Sequence, residues 1–162
     1  MFWGDIMEKI NIGSFYIEEY DAKNIDHKST LVRLSNQEDF KYIGELDWLE
    51  DEFRTSREKG ERDTLNIAYI GDVPVGIIGF NVIKDEYQLM IAILPEFRGQ
   101  RYSSRLALEY ARFLFKQYPE IPNVHAAINK NNLISIKSAK REGFLEANSS
   151  MYNTNYVLNR GR

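Results

Sequence analysis

The sequence predicts a mixed α/β sheet with helices on both faces, and three observations carry that reading. Leu89-Met90-Ile91-Ala92-Ile93-Leu94 is apolar without polar alternation, which marks a strand covered on both sides. Three strand-like segments follow one another across short polar turns, as in an antiparallel meander. Beyond them come a helix, a strand, a second helix and a closing strand pair, so the chain crosses the sheet and leaves helices over both faces. About seven strands are expected in a mostly antiparallel sheet.

Taken in order, residues 1–9 read as a loose lead-in, with Met7 an alternative start. Ile10 to Tyr20 is rich in β-branched and aromatic residues and reads as a first strand centred on Phe15-Tyr16-Ile17. Asp26 is placed to cap a helix carrying Leu31 and Leu34, which Asn36-Gln37-Glu38-Asp39 interrupts. Asp47 is placed to cap a second helix with Trp48, Leu49 and Phe53 on one face, stopping at Gly60. Leu65–Ile70, Val75–Ile83 and Tyr87–Leu94 form the meander, turning at Gly71-Asp72 and Lys84-Asp85-Glu86.

A helix from Ser103 to Tyr118 has the polar edge Arg105, Glu109, Arg112 and Lys116 and ends at Pro119. Val124–Ile128 is a short strand, and Asn132–Glu142 a helix closed by Gly143. Phe144–Ala147 and Tyr152–Leu158 pair to finish the sheet. No repeat or linker interrupts residues 1–162, which read as a single domain.

Composition narrows the function. Apolar runs of about six residues fall well short of the ~20 that span a membrane. The N-terminus lacks the basic, apolar and small-residue blocks of a secretory signal, so a cytoplasmic protein is expected. With no cysteine there is no disulfide, thiol nucleophile or thiolate metal site. His27 and His125 lie far apart, so no metal site is expected, and a net charge of −3 does not suggest affinity for nucleic acid.

The chemistry centres on Tyr87 to Phe115. A buried strand, a short turn and a helix start present unpaired backbone N–H groups, and such a row binds anions. The turn Arg98-Gly99-Gln100-Arg101-Tyr102-Ser103 is therefore expected to hold the diphosphate of a nucleotide-containing cofactor.

This hexapeptide, after a strand ending in an apolar residue and proline, resembles the Q/R-x-x-G-x-G/A signature of the GCN5-related N-acetyltransferase (GNAT) superfamily. Arg98 fits it, Arg101 stands where a glycine is usual, and Ser103 fills the final small position. Asn129 to Ile136 followed by Lys140-Arg141-Glu142-Gly143-Phe144 is similar to the superfamily's N-x-x-S-I…K-x-G-F segment. The form of these motifs resembles the ribosomal-protein and spermidine N-acetyltransferase branch, and the likeness extends over residues 14 to 158.

The resemblance implies a GNAT-like fold whose fourth and fifth strands splay apart. It also implies acetyl-CoA as cofactor, with its diphosphate on Arg98 to Ser103 and its pantetheine arm along the backbone of Ile91, Ala92 and Ile93. Asn132 and Ser135 share a helix face with Ala139 and are expected to reach the pantetheine. Many members carry a tyrosine where Ala139 stands, and the branch often has a glutamate where Gln88 stands, so acid and base must be sought elsewhere. Glu86 and Tyr152 are the expected catalytic pair, with Asp51, Glu52, His125 or a water chain as other candidates for the base and Tyr156 as another candidate for the acid. Trp48, Asp51 and Glu52 are expected to line the acceptor slot.

The implied reaction transfers acetyl from acetyl-CoA to a primary amine by direct attack. The acceptor is a small molecule or a protein N-terminus, no nucleic acid or membrane is involved, and a homodimer is allowed. The alternative is a catalytically degenerate CoA-binding sensor or assembly module, which Gln88 and Ala139 favour. A nucleotide-binding domain unrelated to CoA is weaker, because no G-x-x-x-x-G-K-[ST] or G-x-G-x-x-G occurs.

Overall fold

The computed structural model describes residues 9–43 and 45–161. Residues 1–8, most of the expected lead-in and the alternative start Met7 among them, lie outside the described residues. Eight strands form one sheet: β1 (Ile10–Asn11), β2 (Tyr16–Glu19), β3 (Thr64–Ile70), β4 (Val73–Ile83), β5 (Glu86–Ile93), β6 (Asn123–Asn129), β7 (Leu145–Ser149) and β8 (Asn153–Asn159), in spatial order β1-β2-β3-β4-β5-β6-β8-β7. The helices are α1 (Ile25–Ser35), α2 (Leu46–Glu58), α3 (Tyr102–Gln117) and α4 (Leu133–Arg141). All pairings are antiparallel except the parallel β5–β6 pair at the middle.

The mixed sheet and the order of its elements are as expected; the strand count differs at the first segment. Asn11 Oδ1 accepts from the N–H of Gly13 at 2.9 Å, and Gly13 sits at φ +98°. This side-chain turn folds Ile10–Tyr20 back on itself as the β1–β2 hairpin.

Both expected helix caps are also displaced. The cap of α1 is Asn24, whose Oδ1 accepts from Asp26 N at 3.0 Å and His27 N at 3.2 Å, and Asp26 sits inside the first turn. Helix α2 starts after Glu45, with Asp47 in its first turn. In each first turn the carboxylate still opposes the positive helix end, which is why an acidic residue there looks like a cap in sequence.

The β5 run lacks alternation because each face meets a different core. Tyr87, Leu89 and Ile93 pack with Leu106, Tyr110 and Leu114 of α3. Met90 and Ala92 pack with Leu31 and Leu34 of α1 and Leu49 and Phe53 of α2. Trp48, placed in sequence on the Leu49 and Phe53 face, is instead half-exposed. Among the described residues no helix is long and apolar enough to cross a membrane.

The last strand is tied to α3 through Arg160. Its guanidinium donates to the carbonyls of Phe115 (2.9 Å), Tyr118 (2.8 Å) and Ile121 (2.7 Å), placing a cation at the negative end of α3.

Close approach of β4 to β5 depends on Gly76. A Cβ added there would lie 2.1 Å from the carbonyl oxygen of Ala92. Gly76→Ala should therefore cost more than about 2 kcal/mol of stability, measured by denaturant unfolding, because backbone has to move to admit the methyl group.

Candidate active site

Strand β5 pairs with β4 along its whole length, from Gly76↔Ile93 to Ile83↔Glu86. On its other edge it meets β6 at one register position, Gln88↔His125. Past Gln88 the two strands diverge, and the outer backbone edge of β5 has no strand partner among the described residues.

The opening is a cleft of about 420 Å³. Small side chains keep it open: Ser103, Ser104 and Ala107 on α3, Ala126 and Ala127 on β6, and Ser135, Ser138 and Ala139 on α4. Leu89 and Ile91 line it from the α3 face, and Gln88, Met90, Ile43 and Trp48 from the α1–α2 face, so it runs through the sheet.

At the end of β5, Pro95–Phe97 makes one tight turn, with the Phe97 N–H donating to Leu94 O at 3.0 Å and the Arg98 N–H to Pro95 O at 3.2 Å. Arg33 on α1 donates to Glu96 at 2.9 Å and holds its carboxyl below the usual carboxylate range, pinning the turn to the α1 face. Arg98 Nε donates to Ile93 O at 3.0 Å, tying the turn to the strand it leaves.

The backbone then passes through positive φ at Gly99 (+80°) and at Arg101 (+61°) before α3 begins. The N–H groups of Gly99 to Ser104 find no acceptor among the described residues. Six open donors at the positive end of a sixteen-residue helix are an anion cradle, and they fit a diphosphate.

Opposite lies α4. Asn132 caps it, Oδ1 accepting from the Ser135 N–H at 3.4 Å, and Asn132, Ser135 and Ala139 all line the cleft as their spacing predicts.

The residues expected on the acceptor side separate. Trp48 lines the cleft. Asp51 pairs with Arg54 and lines a different cavity, between α2 and the β2–β3 edge. Glu52 lines neither of these cavities. Tyr152 is 70% exposed in the β7–β8 turn, outside the cleft lining.

Glu86 stands with polar groups that sequence reasoning did not bring together. Gln88 Nε2 donates to Glu86 Oε2 at 3.2 Å, and that carboxylate lies 3.8 Å from His125 Nδ1. Asn155 on β8 reaches the same ring nitrogen at 3.1 Å, while His125 Nε2 meets Asn123 Oδ1 at 2.9 Å. Asn155 carries no sequence signal; it arrives through the pairing Ala127↔Asn155, made across the sheet. Ser104 and Ser138 were likewise missed, although Ser138 lies three residues after Ser135 on the same helix face.

A family model described as the acetyltransferase (GNAT) family matches residues 28–144. The chain belongs to this family. No curated protein sequence matches it.

Among solved structures, an acetyltransferase from Agrobacterium tumefaciens is similar with a TM-score of 0.76 at 14% identity, covering 96% of each chain. An acetyltransferase from Salmonella typhimurium that modifies the N-terminal serine of a ribosomal subunit protein has a TM-score of 0.74 at 14% identity, covering 95% of this chain and 100% of that one. The PaiA N-acetyltransferase from Thermoplasma acidophilum, in complex with coenzyme A, has a TM-score of 0.67 at 13% identity, covering 91% and 100%. Likeness at these identities is a likeness of fold. As a member of the GNAT family the chain is an N-acetyltransferase dependent on acetyl-CoA.

Arg101 occupies the left-handed region at the position where the family motif usually has glycine. Arg101→Gly should stabilise the fold by about 1 kcal/mol by removing that strain. Acetyl-CoA affinity, read by calorimetry, should stay within about fivefold, because the donors are backbone groups.

Proposed function

We propose that the cleft is the acetyl-transfer site, that acetyl-CoA enters from the α3–α4 face, and that a primary amine enters from the α1–α2 face. The observation that carries this is the parting of β5 from β6 beside six open N–H groups at the start of α3. The chain works as one acetyltransferase domain, in the cytoplasm.

Acetyl-CoA supplies an activated thioester carbonyl. The N–H groups of Gly99 to Ser104 hold its diphosphate, with the Arg101 side chain adding positive charge nearby. The free edge of β5 at Ile91, Ala92 and Ile93 takes the pantetheine arm as an added strand, and one of its N–H groups polarises the thioester carbonyl. Asn132 and Ser135 hold the arm from α4.

The acceptor is the amine of a small molecule or of a protein N-terminus, and Trp48 borders its path. Glu86 accepts the proton that makes the amine nucleophilic. The nitrogen lone pair attacks the carbonyl carbon, the C–S bond breaks, the departing thiolate takes a proton from water, and the hydroxide left behind takes the second proton off the nitrogen as the amide forms. Tyr152 is 70% exposed and does not line the cleft, so the role of that donor is not assigned to it.

Acetyl-CoA at a hundredfold excess over Kd should stabilise the protein by about 2.7 kcal/mol, seen as a raised Tm. ATP and NAD should not do so, and thiol release should depend on a primary amine. CoA binding without turnover on any amine, small or peptidic, would favour a non-catalytic module. Glu86→Gln should lower kcat about 100-fold. Tyr152→Phe should leave kcat within about twofold, since an exposed turn residue adds nothing to the transition state.

A further inference from the structure

Five large apolar side chains among the described residues are at least 70% exposed: Ile25, Leu133, Ile134, Met151 and Tyr152. Ile25 stands at the start of α1, whereas the other four belong to one corner of the molecule. The Lys130 N–H donates to the Tyr152 carbonyl at 2.9 Å and Asn129 pairs with Asn153, so the β6–α4 connection lies against the β7–β8 turn. Single exposed apolar residues are ordinary, but four at one corner call for a partner.

Their exposure is built into the backbone. Asn129 Oδ1 accepts from the Asn131 N–H at 2.9 Å, and the Asn132 N–H donates to Asn129 O at 2.9 Å. This turn starts α4 with Asn132 and Ser135 toward the cleft, and Leu133 and Ile134, at the positions between, are left in solvent. In the β7–β8 turn the Ser150 N–H donates to Asn153 O at 2.8 Å and the Asn153 N–H to Ser150 Oγ at 3.2 Å, with Met151 and Tyr152 at the two outer positions. None of the four apolar side chains lines the cleft, so together they form a projecting tip.

The charge around this tip has one sign. Residues 123–141 carry Lys130, Lys137, Lys140 and Arg141 and no Asp or Glu, and residues 147–161 carry no Asp or Glu either. All four cations are exposed and have no ion-pair partner among the described residues. Lys137, Lys140 and Arg141 continue the outward face of α4 that begins with Leu133 and Ile134. Carboxylates resume at Glu142 and Glu146, past the end of α4, and Glu86 is set off from the hairpin by a cavity of about 290 Å³.

We propose that this tip docks on an anionic phospholipid surface, with Leu133, Ile134, Met151 and Tyr152 entering the headgroup region and Lys130 and Lys137 meeting lipid phosphates. Apolar side chains beside lysines match that boundary, where apolar burial and attraction to negative lipid add. A second copy of the chain is a poorer occupant. A two-fold contact through the tip brings Lys130 and Lys137 toward their own equivalents, with no carboxylate from either segment to answer them. The docking is to the surface alone, since no helix among the described residues is long and apolar enough to cross a bilayer. It sets the cleft beside the membrane, because Asn132 and Ser135 flank Leu133 and Ile134.

The test is flotation of the full-length protein with lipid vesicles, at saturating CoA so that any cation serving the cofactor is already occupied. The parent should bind phosphatidylcholine vesicles containing about one third phosphatidylglycerol at least about tenfold more tightly than pure phosphatidylcholine vesicles, and high salt should remove that preference. Leu133→Ser with Ile134→Ser, Met151→Ser with Tyr152→Ser, and Lys130→Gln with Lys137→Gln should each weaken binding about tenfold or more. Ile25→Ser, equally exposed but elsewhere, should leave it within about twofold. Unchanged CoA affinity and Tm report that each variant has folded. Because the chain has no cysteine, Met151→Cys takes a single polarity-sensitive fluorophore. Its emission should move to the blue on the anionic vesicles, and the same label on Ile25→Cys should not respond.

A parent protein that stays off the anionic vesicles, binding that the tip variants do not weaken, or a label on Met151→Cys that stays in water overturns the proposal. If the parent instead dimerises through the tip, with the Leu133 and Ile134 substitutions abolishing the dimer and vesicles left unbound, the tip belongs to a second copy and the membrane proposal fails.

Discussion

The site depends on a strand that is held on one edge and released on the other. Strand β5 has β4 beside it for its full length, so its backbone is rigid and its register fixed. Its contact with β6 at Gln88↔His125 keeps the sheet continuous, and the divergence beyond that point leaves backbone groups facing a cleft. Unpaired strand edges are ordinarily covered or blunted, because they invite another chain. Here the edge is enclosed by α3 and α4, whose serines and alanines leave room for a slender ligand and little else.

The anion cradle follows from the same strand. The tight turn after Leu94 and the ties of Arg98 to Ile93 and Arg33 to Glu96 fix where α3 begins. Because the donors are main-chain groups, replacing the usual glycine by Arg101 changes the conformational cost of the turn without removing the site. On the opposite face of the sheet the polarity is of another kind, with one carboxylate, one imidazole and a group of amides. On the proposed reading, the phosphates of acetyl-CoA and the acceptor amine come to different mouths of one opening.

Much of this was legible in the sequence, and the part that was legible is local. Period-two and period-3.6 patterns, turn residues and capping residues act over a few positions, so β3 to β5, α3 and α4 fall close to where their residues place them. The cradle was legible for the same reason, being six consecutive residues at a helix start. The misplaced α1 cap and the unforeseen β1–β2 hairpin are also local, and each traces to a single asparagine: Asn24 Oδ1 reaches N–H groups two and three residues ahead, and Asn11 Oδ1 starts a turn inside a segment that composition reads as one strand.

The acceptor side was set by register across the sheet. Asp51 sits on the helix that the sequence predicts, yet its turn of α2 faces the β2–β3 edge and pairs with Arg54. Asn155 meets His125 because β8 runs antiparallel to β6, and His125 meets Glu86 because β6 touches β5 at one position. The sequence by itself determined the elements, the anion-binding turn and the family, since each is written in neighbouring residues. The tertiary structure decided which polar groups share a cavity, because that depends on strand pairings between residues tens of positions apart, and no local pattern encodes them.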